Sequence, residues 1–99
     1  MNKQKVSNLL GLAQRAGKII SGEEMVVKAI QDRKVKLVFL AHDASPNLTK
    51  KIQDKSHYYQ VEVITVFSTQ ELSIAVGKSR KVLAVTDAGF TKKMRSLME

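Results

Sequence analysis

Residues 15–43 read Arg-Ala-Gly-Lys-Ile-Ile-Ser-Gly-Glu-Glu-Met-Val-Val-Lys-Ala-Ile-Gln-Asp-Arg-Lys-Val-Lys-Leu-Val-Phe-Leu-Ala-His-Asp, which sets a glycine turn, an amphipathic basic helix and an apolar strand in succession. Leu37 to Ala41 is a continuous apolar run, the pattern of a central strand buried on both faces. Ahead of it, Met25, Val26, Ala29 and Ile30 recur at helical spacing. Acids stand at the start of that segment, and Lys28 and Arg33 lie toward its end, as the helix macrodipole favours. Ile19 and Ile20 form a short strand before Gly22. Ser21 with Glu24 three residues on has the spacing of a capping box, which predicts a hydroxyl cap on the helix. The same residues carry a second reading. If an extended run turns into a helix at Gly22, the amides of Glu23 to Val26 lack backbone partners and face outward, where a phosphate or a base edge can meet them.

Outward from this segment, strands and helices keep alternating. Val6, Leu9, Leu10, Ala13 and Ala16 predict a first helix over residues 3–16, closed by Gly17. Ser45-Pro46 opens a third helix that runs to about Tyr58, with Leu48, Ile52 and Tyr59 on its apolar side. Val61, Val63, Ile64, Val66 and Phe67 supply a third strand. Ser68 and Glu71 repeat the capping-box spacing ahead of Leu72, Ile74, Ala75 and Val76, and Gly77 closes that short helix. Val82 to Val85 is a fourth strand, and Phe90, Met94, Leu97 and Met98 mark a last helix. The expected architecture is α/β: a three-layer α/β/α sandwich with a central mixed sheet of about four strands, one domain over residues 1–99.

Seventeen Lys and Arg stand against nine Asp and Glu, a net charge of +8 on 99 residues. Such an excess makes a polyanion the expected class of partner, nucleic acid first. The cations recur near element ends, at Arg15/Lys18, Arg33/Lys34/Lys36, Lys50/Lys51/Lys55, Lys78/Arg80/Lys81 and Lys92/Lys93/Arg95, which implies several basic patches on a folded body. No apolar run has the length to cross a bilayer, and Met-Asn-Lys-Gln-Lys-Val lacks the apolar core of a signal peptide. The chain has no cysteine, in keeping with a reducing compartment, so a cytoplasmic protein is expected.

Little in the chain resembles catalytic machinery. His42-Asp43 follows the central strand at its carboxyl end, but neighbouring residues seldom aim at one proton, and no Ser or Cys nucleophile occupies an elbow. Asp43 reads as a loop anchor and helix cap, with His42 as a surface contact. The histidines and acids lack the spacing of a metal motif. Gly77-Lys78-Ser79 imitates the end of a phosphate-binding loop, but Leu72 stands where its first glycine belongs, and the order is helix to strand. Gly77 is a helix C-cap; Lys78, Ser79, Arg80 and Lys81 fit an exposed basic loop that contacts phosphates. Phe39, Phe67 and Phe90 fall on apolar faces, where packing is the default.

The combined pattern resembles the kink-turn-binding ribosomal protein superfamily that includes the large-subunit proteins seven-Ae and thirty-e, nearest to its small bacterial YlxQ-like branch. It comprises Arg15-Ala-Gly17-Lys18, Ser21-Gly22-Glu23-Glu24, Lys28-Ala-Ile, Lys36-Leu-Val-Phe-Leu-Ala41-x-Asp43-x-x-Pro46, Leu72-x-x-Ala75-x-Gly77-Lys78 and Val82 to Val85, over roughly residues 8–87. The resemblance implies a protein that binds structured RNA, ribosomal RNA among them, without catalysis or cofactor and as a monomer. It implies an RNA-binding face of Lys18, Gly22, Glu23, Glu24, Met25 and Lys28, with Lys78, Ser79, Arg80 and Lys81 opposite. Two departures stand out. The family's kink-turn readers carry an Asn-Glu pair at the positions of Glu24 and Met25, and their mostly apolar loop triplet falls here on Lys78-Ser79-Arg80, as in the thirty-e branch. The other reading of the same fold is a protein-protein adaptor, or an RNA-substrate-recognition module without kink-turn specificity.

Overall fold

The strand predicted to be buried on both faces, Leu37 to Ala41, organises the molecule together with the fourth strand. A computed structural model describes residues 1–99 as α1 (Lys3–Arg15), β1 (Ile19–Ser21), α2 (Glu23–Gln31), β2 (Leu37–Leu40), α3 (Pro46–Tyr58), β3 (Glu62–Ile64), α4 (Thr69–Val76), β4 (Val82–Val85) and α5 (Ala88–Met98). Every residue of β2 and β4 is buried. They are the inner strands of a sheet ordered β1-β4-β2-β3. β4 runs antiparallel to both β1 and β2, whereas β2 and β3 are parallel, so the sheet is mixed.

The period of two along these strands sorts their side chains into two cores. Leu37, Phe39, Leu83 and Val85 point to one side, packed with Val6 and Leu10 of α1, Leu72 of α4 and Met94 of α5. Val38, Leu40, Val82 and Ala84 point to the other, against Val26 and Ile30 of α2 and Leu48 and Ile52 of α3. Helices therefore cover both faces, three on one and two on the other. Phe39 and Phe67 meet edge to face with ring centres 5.9 Å apart.

Most predicted termini hold for the predicted reasons. Ser45 caps α3, its hydroxyl accepting from the Leu48 amide with Pro46 in the first turn. Ser68 and Glu71 form a complete capping box on α4. Gly77 ends α4 in the left-handed region at φ 77°, where glycine carries no Cβ penalty.

Three expectations are corrected. The third strand, expected over Val61 to Phe67, is confined to Glu62–Ile64. It is an edge strand paired only with β2, in a register that ends with Phe39 opposite Ile64. Beyond it the chain turns to bury Phe67, whose carbonyl accepts from the His42 amide. Tyr59 packs against the core of Leu48 and Ile52 as expected, but as the C-cap of α3, and within the helix the third buried position falls to Ser56. The third correction, at Ser21, shapes the candidate site.

Asp43 is a helix cap, on a distant helix. Its Oδ1 accepts from the Thr69 amide at 2.9 Å and the Thr69 hydroxyl at 2.7 Å, tying the loop after β2 to the start of α4. The Thr69 hydroxyl, then the Thr69 amide, hold its carboxyl below the ordinary aspartate range against an opposing effect of desolvation. Glu71 is lowered likewise, first by the Ser68 amide and then by Lys3. A carboxylate whose folded pKa is depressed contributes stability that is complete above its unfolded value, about 4, and is lost as the pH falls through the folded value. Asp43→Ala is therefore expected to lower the denaturant midpoint at neutral pH, and its difference from wild type should close on acidification through that range. A gap that persists unchanged in acid would show that the charge is not its source.

Candidate nucleic-acid interface

Ser21 does not cap α2. It is the last residue of β1, held in the sheet opposite Leu83, and the N-cap is Gly22, which contributes no side-chain hydrogen bond. The Gly22 amide donates to the Val82 carbonyl, and at φ 93°, ψ 150° the chain turns straight from strand into helix. Sheet pairing therefore overrides the capping box. The first helical bond is Val26 to the Gly22 carbonyl, so the amides of Glu23, Glu24 and Met25 have no acceptor within the helix. This is the exposed N-terminus that the second reading of the segment anticipates, one amide shorter because Val26 is already bonded.

Released from capping, the Ser21 hydroxyl accepts from Nε of Arg80 at 2.8 Å, across 59 residues. Arg80 is itself fixed. Its amide donates to the Ser73 hydroxyl at 3.0 Å, that hydroxyl donates to the Thr69 carbonyl at 2.7 Å, and Nη1 donates to the Ser79 carbonyl at 2.8 Å. Nη2 has no protein partner. The basic loop after α4 is thus stapled beside the turn into α2 in a fixed orientation. Together Ser21, Gly22 and Glu23 face Ser79, Arg80 and Lys81 across an open cleft of about 360 Å³, floored by Leu48 and Val82.

The expected face is only partly assembled at this cleft. Gly22, Glu23, Ser79, Arg80 and Lys81 line it, and Lys78 precedes them on the exposed loop. Glu24 and Met25 lie exposed on the first turn of α2, with Met25 58% accessible. Lys28 stands one turn further along, paired with Asp32 at 3.3 Å. Lys18 is elsewhere: Ile19 pairs with Val85 and Ser21 with Leu83, so β1 carries Lys18 toward the other end of the sheet, where its carbonyl accepts from Thr86. Lys51 of α3 was missed. Its ammonium lies 2.9 Å from the Glu23 carboxylate, neutralising the acid at the rim. The sequence shows Lys51 only as part of a basic group, because a contact across 28 residues leaves no local pattern.

The arrangement offers a guanidinium, a lysine, helix-start amides and a side-chain-free glycine on one shallow surface, the donors that a polyanion's backbone requires. No triad of nucleophile, base and orienting group accompanies them. His42 is exposed, and no cluster of three or more His, Asp or Glu side chains is placed to hold a metal ion. No helix is long and apolar enough to cross a membrane.

The family described as ribosomal protein L7Ae/L30e/S12e/Gadd45 matches residues 4–95. The chain belongs to this family. Among its relatives, the "RNA-binding protein YlxQ" of Enterococcus faecium is 50% identical over 98 residues, covering 99% of this chain and 95% of the relative. The protein of the same name from Bacillus subtilis (strain 168) is 49% identical over 92 residues, 92% of each. A solved structure of a protein of unknown function from Bacillus halodurans C superposes with a TM-score of 0.90 at 46% identity, covering 95% of this chain and 96% of that one. The 15.5kD RNA binding protein of Giardia lamblia superposes at 0.82 with 18% identity, over 95% of this chain and 82% of that one, a likeness of fold. The L7Ae-family sandwich is therefore the architecture of this chain.

Proposed function

We propose that this L7Ae-family protein is a noncatalytic, monomeric binder of structured RNA in the cytoplasm, ribosomal RNA in the first place, and that it grips its ligand at the cleft between Gly22 and Arg80. The observation that carries the reading is the Arg80–Ser21 hydrogen bond, which clamps a basic loop beside an open helix N-terminus. Residues far apart in sequence are thereby preorganised as one set of phosphate donors. The net charge of +8 and the relatives named RNA-binding protein YlxQ support it.

Crosslinking in cells followed by sequencing of the attached RNA identifies the ligand. In solution, affinity for that RNA should fall steeply with salt, each neutralised phosphate adding about 0.7 to 0.9 to the logarithmic slope. Arg80→Ala is expected to weaken binding by about tenfold and to reduce the slope by roughly one phosphate. Salt-insensitive binding, or an Arg80→Ala variant that binds like wild type, overturns this placement of the interface.

One feature favours the adaptor reading. Leu12 and Ile74, 49% and 72% accessible, line one shallow groove between α1 and α4. A stable protein partner recovered from nuclease-treated lysate, without any RNA crosslink, would favour that function over RNA binding.

A further inference from the structure

A groove larger than the Gly22 cleft lies away from it. It measures about 730 Å³ and lies at the other end of the sheet, between the loop joining α2 to β2 and one face of α5. Five cations line it, Arg33, Lys34, Lys36, Lys92 and Arg95, against the carboxylates of Asp87 and Glu99. Asp87 is engaged as the cap of α5, accepting from the Phe90 amide. Arg95 is engaged too, with Glu62 and the Lys36 carbonyl. Arg33, Lys34, Lys36 and Lys92 have no acidic partner within ion-pair distance, so the groove presents uncompensated positive charge.

An aromatic platform adjoins it. The Arg33 guanidinium lies over the Tyr59 ring at 5.2 Å, and Tyr59 meets Tyr58 edge to face at 4.8 Å. Tyr58 is 76% accessible, the most exposed large apolar side chain of the protein. Arg33 ends α2 in the left-handed region at φ 58°, a place where glycine is the usual residue, and there its side chain joins groove to platform. A cationic track beside an exposed aromatic ring is how proteins hold single-stranded nucleic acid: phosphates follow the charge, and a base stacks on the ring whatever its identity.

We propose that this groove is a second RNA site, taking a single-stranded segment whose phosphates meet Arg33, Lys34, Lys36 and Lys92 and whose base stacks on Tyr58. The choice of RNA over another polyanion rests on the function proposed above. The two sites are separated by the sheet: β4 starts at the Gly22 cleft with Val82 and ends at the groove with Val85, about 10 Å at the ordinary rise of a strand. A structured element gripped at the cleft leaves the groove free for a flanking single strand, so the protein holds the junction between folded and unpaired RNA.

The chain contains two tyrosines and no tryptophan, so its intrinsic emission reports on this platform alone. The test titrates the protein with a single-stranded oligouridylate RNA of about twelve nucleotides, within the ordinary site size of such grooves. Saturable quenching of tyrosine emission is expected. Tyr58→Ala should weaken oligonucleotide binding, read by anisotropy of a labelled strand, by about tenfold, and Tyr58→Phe should restore it. Lys34→Glu with Lys92→Glu should abolish the quenching at moderate salt yet leave affinity for the folded RNA intact; Arg80→Ala should do the reverse. Absence of quenching at low salt overturns the proposal, as does quenching that survives the double charge reversal or disappears with Arg80→Ala. Polyglutamate that competes as well as the oligonucleotide would reduce the groove to an undiscriminating charged surface and overturn it too. Loss of folded-RNA binding in Arg80→Ala bears on the cleft, so the two readings fail separately.

Discussion

Gly22→Val is expected to be the most damaging single substitution at the interface, costing on the order of 1–3 kcal/mol of folding stability and at least tenfold in RNA affinity. At φ 93°, ψ 150° Gly22 occupies a region that residues with a Cβ adopt only under strain, β-branched ones least of all. No protein atom lies within 4 Å of a Cβ built there, so the cost in the free protein is torsional and not a clash. Relief would move the start of α2 away from the Val82 carbonyl and the Arg80 loop, dispersing the donors that the cleft assembles. Gly77 provides the comparison. Its φ of 77° and ψ of 14° lie in the left-handed helical region, which asparagine tolerates. Gly77→Asn should therefore be mild and Gly22→Asn severe. Denaturant unfolding alongside binding measured on folded protein separates the two effects, and a Gly22→Val variant as stable as wild type would refute the torsional argument.

The second large effect is a gain. Glu24→Asn with Met25→Glu should strengthen binding to a standard kink-turn by about 1–3 kcal/mol, the worth of one good bidentate base contact. Both side chains are exposed on the first turn of α2, beside the cleft. Met25 can neither donate nor accept usefully, and Glu24 is an acceptor only, repelled by phosphate unless it finds a base donor. The exchange supplies an amide with both capacities and places a carboxylate one residue further on, as in the kink-turn readers of the family. Isothermal titration of both proteins against one kink-turn RNA decides it. Wild-type binding at least as tight as that of the double variant would mean that the loop of Lys78 to Lys81, and not the helix start, carries recognition.

Periodicity and punctuation made the layers legible. The unbroken apolar run of β2 marked a central strand and that of β4 a further strand, the 3.6-residue spacing in α1, α2 and α5 marked their buried sides, and Gly77 and Ser45-Pro46 announced helix ends, because these signals act within one turn or one strand. The glycine turn at Gly22 and the basic loop at Lys78 to Lys81 were likewise visible as local chemistry. Tertiary structure decided what lies beside what. Ser21 had a plausible local partner in Glu24, yet pairing with Leu83 kept it in the sheet and gave its hydroxyl to Arg80. Asp43 could have capped the helix that follows it, but Ser45 does so and Asp43 caps α4. Lys18, four residues from Gly22 in sequence, is carried by β1 toward the opposite end of the sheet, while Arg80, 58 residues from Gly22, lies across the cleft from it. Strand order and register are set by which apolar faces can be buried together. That is a property of the whole chain, so no window of sequence contains it.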